Sequence, residues 1–347
     1  MIELPFAHGG PALTGLLRAS PEDFVVVEDL GFAPNGEGEH VFVRLRKRGI
    51  NSDWLAGRLA EFAGVPRNAV SYAGMKDRHA VTTQTFSVQI PGAEGPDWSQ
   101  FPEEGVEVLD VSRNLRKLRR GALAGNAFVI TLREVQGDAA AAETCLQAIA
   151  QQGVPNYFGE QRFGREGKNT QRALDFFAGR RTPRKQQGLL ISAARSQIFN
   201  MVLAARVEAG NWHQVLPGEV CSLAGSRSWF VAEDNLAALQ KRADDWDIHP
   251  SGPLWGSDTL PTQGPTAELE QTAASQDPAL KEGLEKQRLD HDRRPLRLRP
   301  TELKWEWPDA HSLQLRFALD AGSYATAILR ELVDWHAPSS PSHTRAR

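Results

Sequence analysis

Strict alternation of apolar and polar side chains is confined to the two ends of this chain. His40 to Arg46 (HVFVRLR) places Val41, Val43 and Leu45 on one face and Phe42, Arg44 and Arg46 on the other. Thr83 to Ile90 sets Thr85, Ser87 and Gln89 against Phe86, Val88 and Ile90, and Ala127 to Arg133 (AFVITLR) is a further strand. The pattern returns only near residues 296–307 (LRLRPTELKWEW) and 313–319 (LQLRFAL). Between them the texture is helical: Asp138 to Gln151, Leu189 to Ala209 and the polar Ala267 to Leu289, with Pro250 to Pro265 read as a long loop. Strand formers at both ends must share a sheet to bury their apolar faces. The expected fold is therefore α+β with a largely antiparallel sheet. Residues 1–152 and 301–347 would build one discontinuous domain, and 153–300 a second domain inserted into it.

Finer expectations follow from the first segment. Asp23 to Glu28 (DFVVVE) is a short β-branched run, which the turn-rich loop before His40 would join to the next strand as a hairpin-like pair. Ser52 is the expected N-cap of a helix with the stripe Trp54, Leu55, Leu59 and Phe62, ended by Gly64 and Pro66. A short strand over Val70–Tyr72 leads into a loop from Gly74 to Ala80. A helix over Ser323–Trp335 closes the fold, and the tail HAPSSPSHTRAR is expected to be disordered.

The net charge is −3, from 40 Lys+Arg and 43 Asp+Glu, which by itself speaks against nucleic acid. The distribution says otherwise. Val111 to Arg133 holds Arg113, Arg116, Lys117, Arg119, Arg120 and Arg133 and no acid. Phe158 to Lys185 carries eight basic residues against three acids, and Arg288 to Arg299 five Arg against two Asp. Segregated positive charge gathers a polyanion even on a slightly acidic protein. The bland alternative is three solvated helix faces. Arg also outnumbers Lys 31 to 9, which suits bidentate phosphate contacts or reflects genome composition.

Other classes find little support. Cys145 and Cys221 are the only cysteines and form no disulfide framework or zinc spacing. No His-x-x-x-His pair marks a metal site, no signal peptide opens the chain, and no apolar run approaches a membrane span of about 20 residues. A cytoplasmic protein without metal or membrane partner is expected.

The stretch VSYAGMKDRHAVTTQTFSVQ, residues 70–89, carries the chemistry. Gly74 permits a tight turn, and Asp77 stands in the loop among Lys76, Arg78 and His79. Cations around a carboxylate favour its ionised form, which suits a nucleophile or general base. The competing role is a structural salt bridge. Metal ligation would want a second carboxylate, and Asp77 is the only acid between Glu61 and Glu94.

GMKDRHAVTTQTFSVQ closely resembles the active-site motif of the TruD family of tRNA pseudouridine synthases. SPEDFVVVEDLGF, LRRGALAGNAFVITLRE, GVPNYFGEQRFGREGKN, LLISAARSQIFN and FALDAGSYATAILREL resemble family segments in the family's order, from about Arg18 to Leu332. The resemblance implies a pseudouridine-synthase catalytic domain made from both chain ends and an inserted α/β TRUD domain. It implies isomerisation of uridine to pseudouridine at position 13 of tRNA, without cofactor or metal, by a monomer. Asp77 would be the catalytic aspartate, either attacking C1′ or removing a C2′ proton to give a glycal.

Further roles follow from the same resemblance. Phe24 matches the pocket phenylalanine and Asn126 the residue that contacts the base. Tyr324 matches the position that closes the pocket, where some members carry Phe. Arg18 stands where members have a basic residue able to pair with the aspartate. Asp320 stands where Pro is common. For phosphate contacts the candidates are Lys76 and Arg78 beside Asp77, Arg116 and Arg119 in the first basic run, and Arg162 and Arg165 in the second. NYFGEQRFGREGKN suits either gripping RNA or fixing a domain junction. Two other function classes are an RNA-binding, tRNA-folding chaperone of the same fold and a carboxylate-dependent hydrolase. The hydrolase lacks an acidic partner near Asp77.

Overall fold

The computed structural model describes residues 3–92 and 94–338, so most of the C-terminal tail lies outside the described residues. In chain order the first strands are β1 (Leu13–Leu17), β2 (Phe24–Asp29), β3 (His40–Arg48), β4 (Val70–Tyr72), β5 (Val81–Gln89), β6 (Val106–Asn114) and β7 (Gly125–Gly137), with helix α1 (Ser52–Phe62) after β3. The middle holds β8 (Val154–Pro155), β9 (Val220–Leu223), β10 (Trp229–Val231), β11 (Ile248–Leu254), β12 (Asp292–Pro295) and β13 (Arg297–Leu298). Its helices are α2 (Ala139–Gln152), α3 (Glu160–Phe163), α4 (Lys168–Phe177), α5 (Arg184–Glu208), α6 (Leu236–Asp244), α7 (Gly264–Ala274) and α8 (Pro278–Glu285). Then come β14 (Thr301–Asp309), β15 (Ser312–Asp320), α9 (Ala325–Leu332) and β16 (Val333–His336).

The strands from both ends form one ten-stranded sheet ordered β14-β15-β7-β2-β5-β3-β6, with β1 pairing β7 and β16, and β4 pairing β5. The fold is α+β, as the alternation at both ends predicts. Most pairs are antiparallel; β2–β5 and β1–β16 are parallel. The expected hairpin of β2 with β3 does not form. β5 lies between them, parallel to β2 and antiparallel to β3.

Two compact units emerge. One comprises the described residues of Ala12–Asp138, Pro300–Ser323 and Val333–Arg347 and holds the large sheet. The other comprises those of Met1–Pro11, Ala139–Arg299 and Tyr324–Leu332. The partition thus assigns the N-terminal arm, α2 and α9 to the helical unit, outside the expected boundaries. Glu331 explains much of this: its carboxylate accepts from the backbone of Ala7 and His8, and its carbonyl from Cys145 Sγ.

In the sheet unit α1 packs Leu55, Ala56, Leu59 and Ala60 against Val41, Val43, Leu45, Phe86 and Val88. Truncating such a leucine to alanine costs about 2–5 kcal/mol. Asn51 caps α1 by accepting from Asp53 N and Trp54 N, so the cap falls one residue before the expected Ser52. Trp54 leaves the stripe and is exposed.

In the helical unit α5 is the central element, packed in two apolar clusters. It is long and apolar enough to cross a membrane by length and composition, contrary to the expectation that no segment is. Two-thirds of its apolar window is nevertheless buried within the protein. β11 occupies part of the expected loop despite Pro250 and Pro253. Ile248–Pro250 pair with β9 and Ser251–Leu254 with β12, and Pro250 O also accepts from Leu296 N at 2.9 Å.

Candidate active site

One face of the large sheet collects the polar side chains that matter. Directly paired residues share a face, and β2 pairs β7 as Phe24↔Ile130, Val26↔Phe128 and Glu28↔Asn126. Val26 also lies beside Thr82, and Thr82 beside Lys47. With period two, Phe24, Val26, Glu28, Asn126, Phe128, Thr82, Gln84 and Lys47 therefore lie on the same side. The apolar end of this face is covered by α1.

The Gly74–Ala80 loop brings Asp77 to this region. Gln84 Nε2 donates to Gly74 O at 2.5 Å, and Lys76 N donates to Ser52 Oγ at 3.2 Å. The Ser52 hydroxyl donates to Gln84 Oε1 at 2.8 Å. At the loop's far end Gly49 N donates to Ala80 O at 3.1 Å.

Asp77 is the only carboxylate in the loop, and its side chain is 39 % exposed. Arg18 Nη2 donates to Asp77 Oδ2 at 2.9 Å, while the guanidinium carbon lies 4.2 Å from the Phe24 ring centroid. Arg18 follows β1 directly and has φ 63, a left-handed backbone that a side-chain-bearing residue adopts at a cost. Phe24 is buried and meets Phe128 edge-on at 6.3 Å; Phe128 stacks on Phe317 at 5.3 Å. Asp77, Arg18 and Phe24 are thus brought together.

Asn126 stands at the start of β7, where a Cβ on the preceding Gly125 would run into Leu319 O. Its Oδ1 is buried and has no hydrogen-bond partner among the described residues. The side chain offers an amide edge with an acceptor ready for an incoming N–H.

Lys47 and Glu28 belong to the site, and sequence reasoning missed them; Gln84, which could supply an amide contact or simply start the strand, lies on the same face. Lys47 is 1 % exposed, and its ammonium donates to Ile50 O at 2.7 Å. Burial pushes it down to about 8; the charge of Lys76 adds to the fall and Asp77 opposes it. Glu28 pairs with Lys76 at 2.9 Å, the two side chains being 1 % and 6 % exposed. Lys76 as placed does not suit the expected phosphate contact, because its ammonium points inward to this carboxylate.

Arg78, Arg116 and Arg119 are exposed. The loop carrying Arg116 and Arg119 is tied to the strand that leads into the Asp77 loop: Gly121 N donates to Ala73 O and Ser71 Oγ to Leu118 O. In the helical unit Arg162 donates to Ser192 Oγ at 3.0 Å and to Tyr324 Oη at 3.3 Å, and lies 5.1 Å from the Phe158 ring centroid. The side chain of Arg165 lies outside the described residues. The third basic run is largely internal. Arg293 is paired with buried Glu270, Arg297 is buried against carbonyls of Ala243 and Ile248, and Arg294 donates to Asn156 Oδ1. It is therefore no solvated basic face.

The family model for tRNA pseudouridine synthase D (TruD) matches residues 4–173 and 168–332. The chain belongs to the TruD family. Within it, a tRNA pseudouridine synthase D of Xanthomonas axonopodis pv. citri is 49 % identical, over 95 % of this chain and 94 % of the relative. That of Nitrosococcus oceani is 50 % identical, over 94 % and 93 %. A solved TruD structure from Methanosarcina mazei superposes with a TM-score of 0.78 at 23 % identity, covering 95 % of this chain and 98 % of the other. That likeness supports the fold. The family-model match includes the loop around Asp77 whose anchoring is described above. Among the described residues no group of three or more His, Cys, Asp or Glu side chains is placed to hold a metal ion.

Proposed function

We propose that this TruD-family chain converts uridine to pseudouridine at position 13 of tRNA, with Asp77 as its catalytic carboxylate. The reaction breaks the N1–C1′ bond and joins C5 to C1′. N1 gains a proton and C5 loses one, so atoms and electrons balance within the substrate. The observation that carries this reading is the Asp77–Arg18–Phe24 arrangement. A solvent-accessible carboxylate is oriented by a guanidinium that itself rests on a ring. Asp77 faces the ribose, as nucleophile at C1′ or as base at C2′.

The target base has to leave its stack to be reached. Uracil presents an imide N–H between two carbonyls, and the unpartnered Asn126 Oδ1 suits that N–H. Phe24, with Phe128 behind it, gives an aromatic wall. Tyr324, steadied by Arg162, is a further ring for the RNA. Arg78, Arg116 and Arg119 contact phosphates.

The test is release of tritium from C5 of labelled uridine in tRNA, with pseudouridine mapped in tRNA from cells with and without the gene. Asp77→Asn should abolish release and leave tRNA binding nearly intact. Full activity in Asp77→Asn, or an unchanged position 13 in the deleted strain, would overturn the proposal.

A further inference from the structure

Glu28 and Lys76 are an odd pair to find inside this sheet unit. Two charges removed from water are costly, and a buried ion pair adds little net stability over apolar residues of like volume. Glu28 continues the face of Phe24 and Val26, where an aliphatic side chain would pack without that penalty. Its other oxygen accepts from Thr85 N at 2.9 Å, so the carboxylate is itself held in place.

What the pair does locally is clear from Lys76. Its backbone N–H is bonded to Ser52 Oγ and its side chain to Glu28, so the residue is fixed at both ends. Met75, Arg78 and His79 are exposed. Lys76 is therefore the side chain that ties the tip of this loop inward, and the next residue is Asp77. Fixed on one side through Lys76 and on the other by Arg18, the Asp77 carboxylate has little freedom to wander.

We propose that Glu28 and Lys76 are positioning residues, a buried ionic tether that sets where the Asp77 carboxylate meets the ribose. Neither contacts the RNA. The inference rests on the assignment of Asp77 above.

The experiment uses the full-length protein and the tritium-release assay, with thermal melting and tRNA binding measured alongside. Glu28→Gln combined with Lys76→Met removes both charges of the pair together, so neither is left buried without the other. The double variant should melt close to the wild type and bind tRNA with KM within about twofold. Its kcat should fall by roughly 10- to 100-fold, as expected for a misplaced catalytic group. Unchanged kcat would make the pair purely structural and overturn the proposal. A raised KM with kcat intact would make Lys76 an RNA contact and overturn it as well. If the double variant does not fold, Glu28→Asp serves instead. It keeps both charges but shortens the tether by one methylene, and the same split between kcat and KM decides. An inactive wild type, or an active Asp77→Asn, would instead overturn the underlying assignment, so the two failures are distinguishable.

Discussion

Arg18 holds Asp77 through a 2.9 Å hydrogen bond from a left-handed backbone at φ 63. A non-glycine residue there costs about 1 kcal/mol or more, and such strain persists where the surroundings over-determine it. The surroundings here are the Asp77 carboxylate and the Phe24 ring. Stability and activity should therefore part company at this position. Arg18→Gly relieves the backbone and should keep or raise the melting temperature while lowering kcat at least tenfold. Arg18→Lys retains a charge but loses the flat stack on Phe24, and should fall between. A glycine variant with wild-type kcat would remove Arg18 from the catalytic arrangement.

Asn126 gives a second separation of folding from function. Its Oδ1 makes no hydrogen bond among the described residues, so Asn126→Ala sacrifices no such bond of that oxygen and relieves a buried, unsatisfied acceptor. Melting should change by no more than a few degrees. The value of kcat/KM for tRNA should drop about 10- to 100-fold, the loss of one or two good hydrogen bonds to the base. A marked loss of stability with intact turnover would identify a structural amide instead.

The residues that sequence reasoning missed share one physical reason. Phe24, Val26 and Glu28 alternate on a buried face, and so do Val41, Val43, Leu45 and Lys47. In each run a charged side chain occupies the next core position. The period was legible, and so was the sheet it builds, but a charge at the end of an apolar stripe looks like the strand's exit into solvent. Only the pairing of β2 with β7 and β5 shows that the face continues. Lys76 erred in the opposite sense. Followed by Asp77 and Arg78 it looks like a surface cation, and nothing local announces a carboxylate 48 positions earlier in the chain. The third basic run misled for the same reason: spacing does not reveal that Arg293 meets Glu270.

Arg116 and Arg119 supply a test of the RNA surface that leaves the chemistry alone. Both are exposed on the loop bonded to the root of the Asp77 loop. Replacing each by alanine should weaken tRNA binding and lower the slope of log K against log salt by about one per lost phosphate contact. The rate at saturating tRNA should stay near wild type. Binding with an unchanged salt slope would place the tRNA elsewhere.

Lys47 makes a prediction whose sign can be worked out. Burial and the neighbouring Lys76 hold its ammonium at about 8 in the folded protein, against an ordinary value of 10.5, with Asp77 opposing the fall. Below pH 8 both folded and unfolded chains carry the proton, and the folded one bears the cost of burying it. Between about 8 and 10.5 the unfolded chain still holds a proton that the folded chain has released. Stability rises with pH wherever the unfolded state binds more protons. The wild type should therefore gain stability relative to Lys47→Met across that interval, and the difference should be flat below it. Other lysines and tyrosines titrate in the same range, so the difference between the two proteins is the quantity to follow in denaturant midpoints. Parallel curves from pH 7 to 10 would show that the Lys47 ammonium titrates as it does in the unfolded chain.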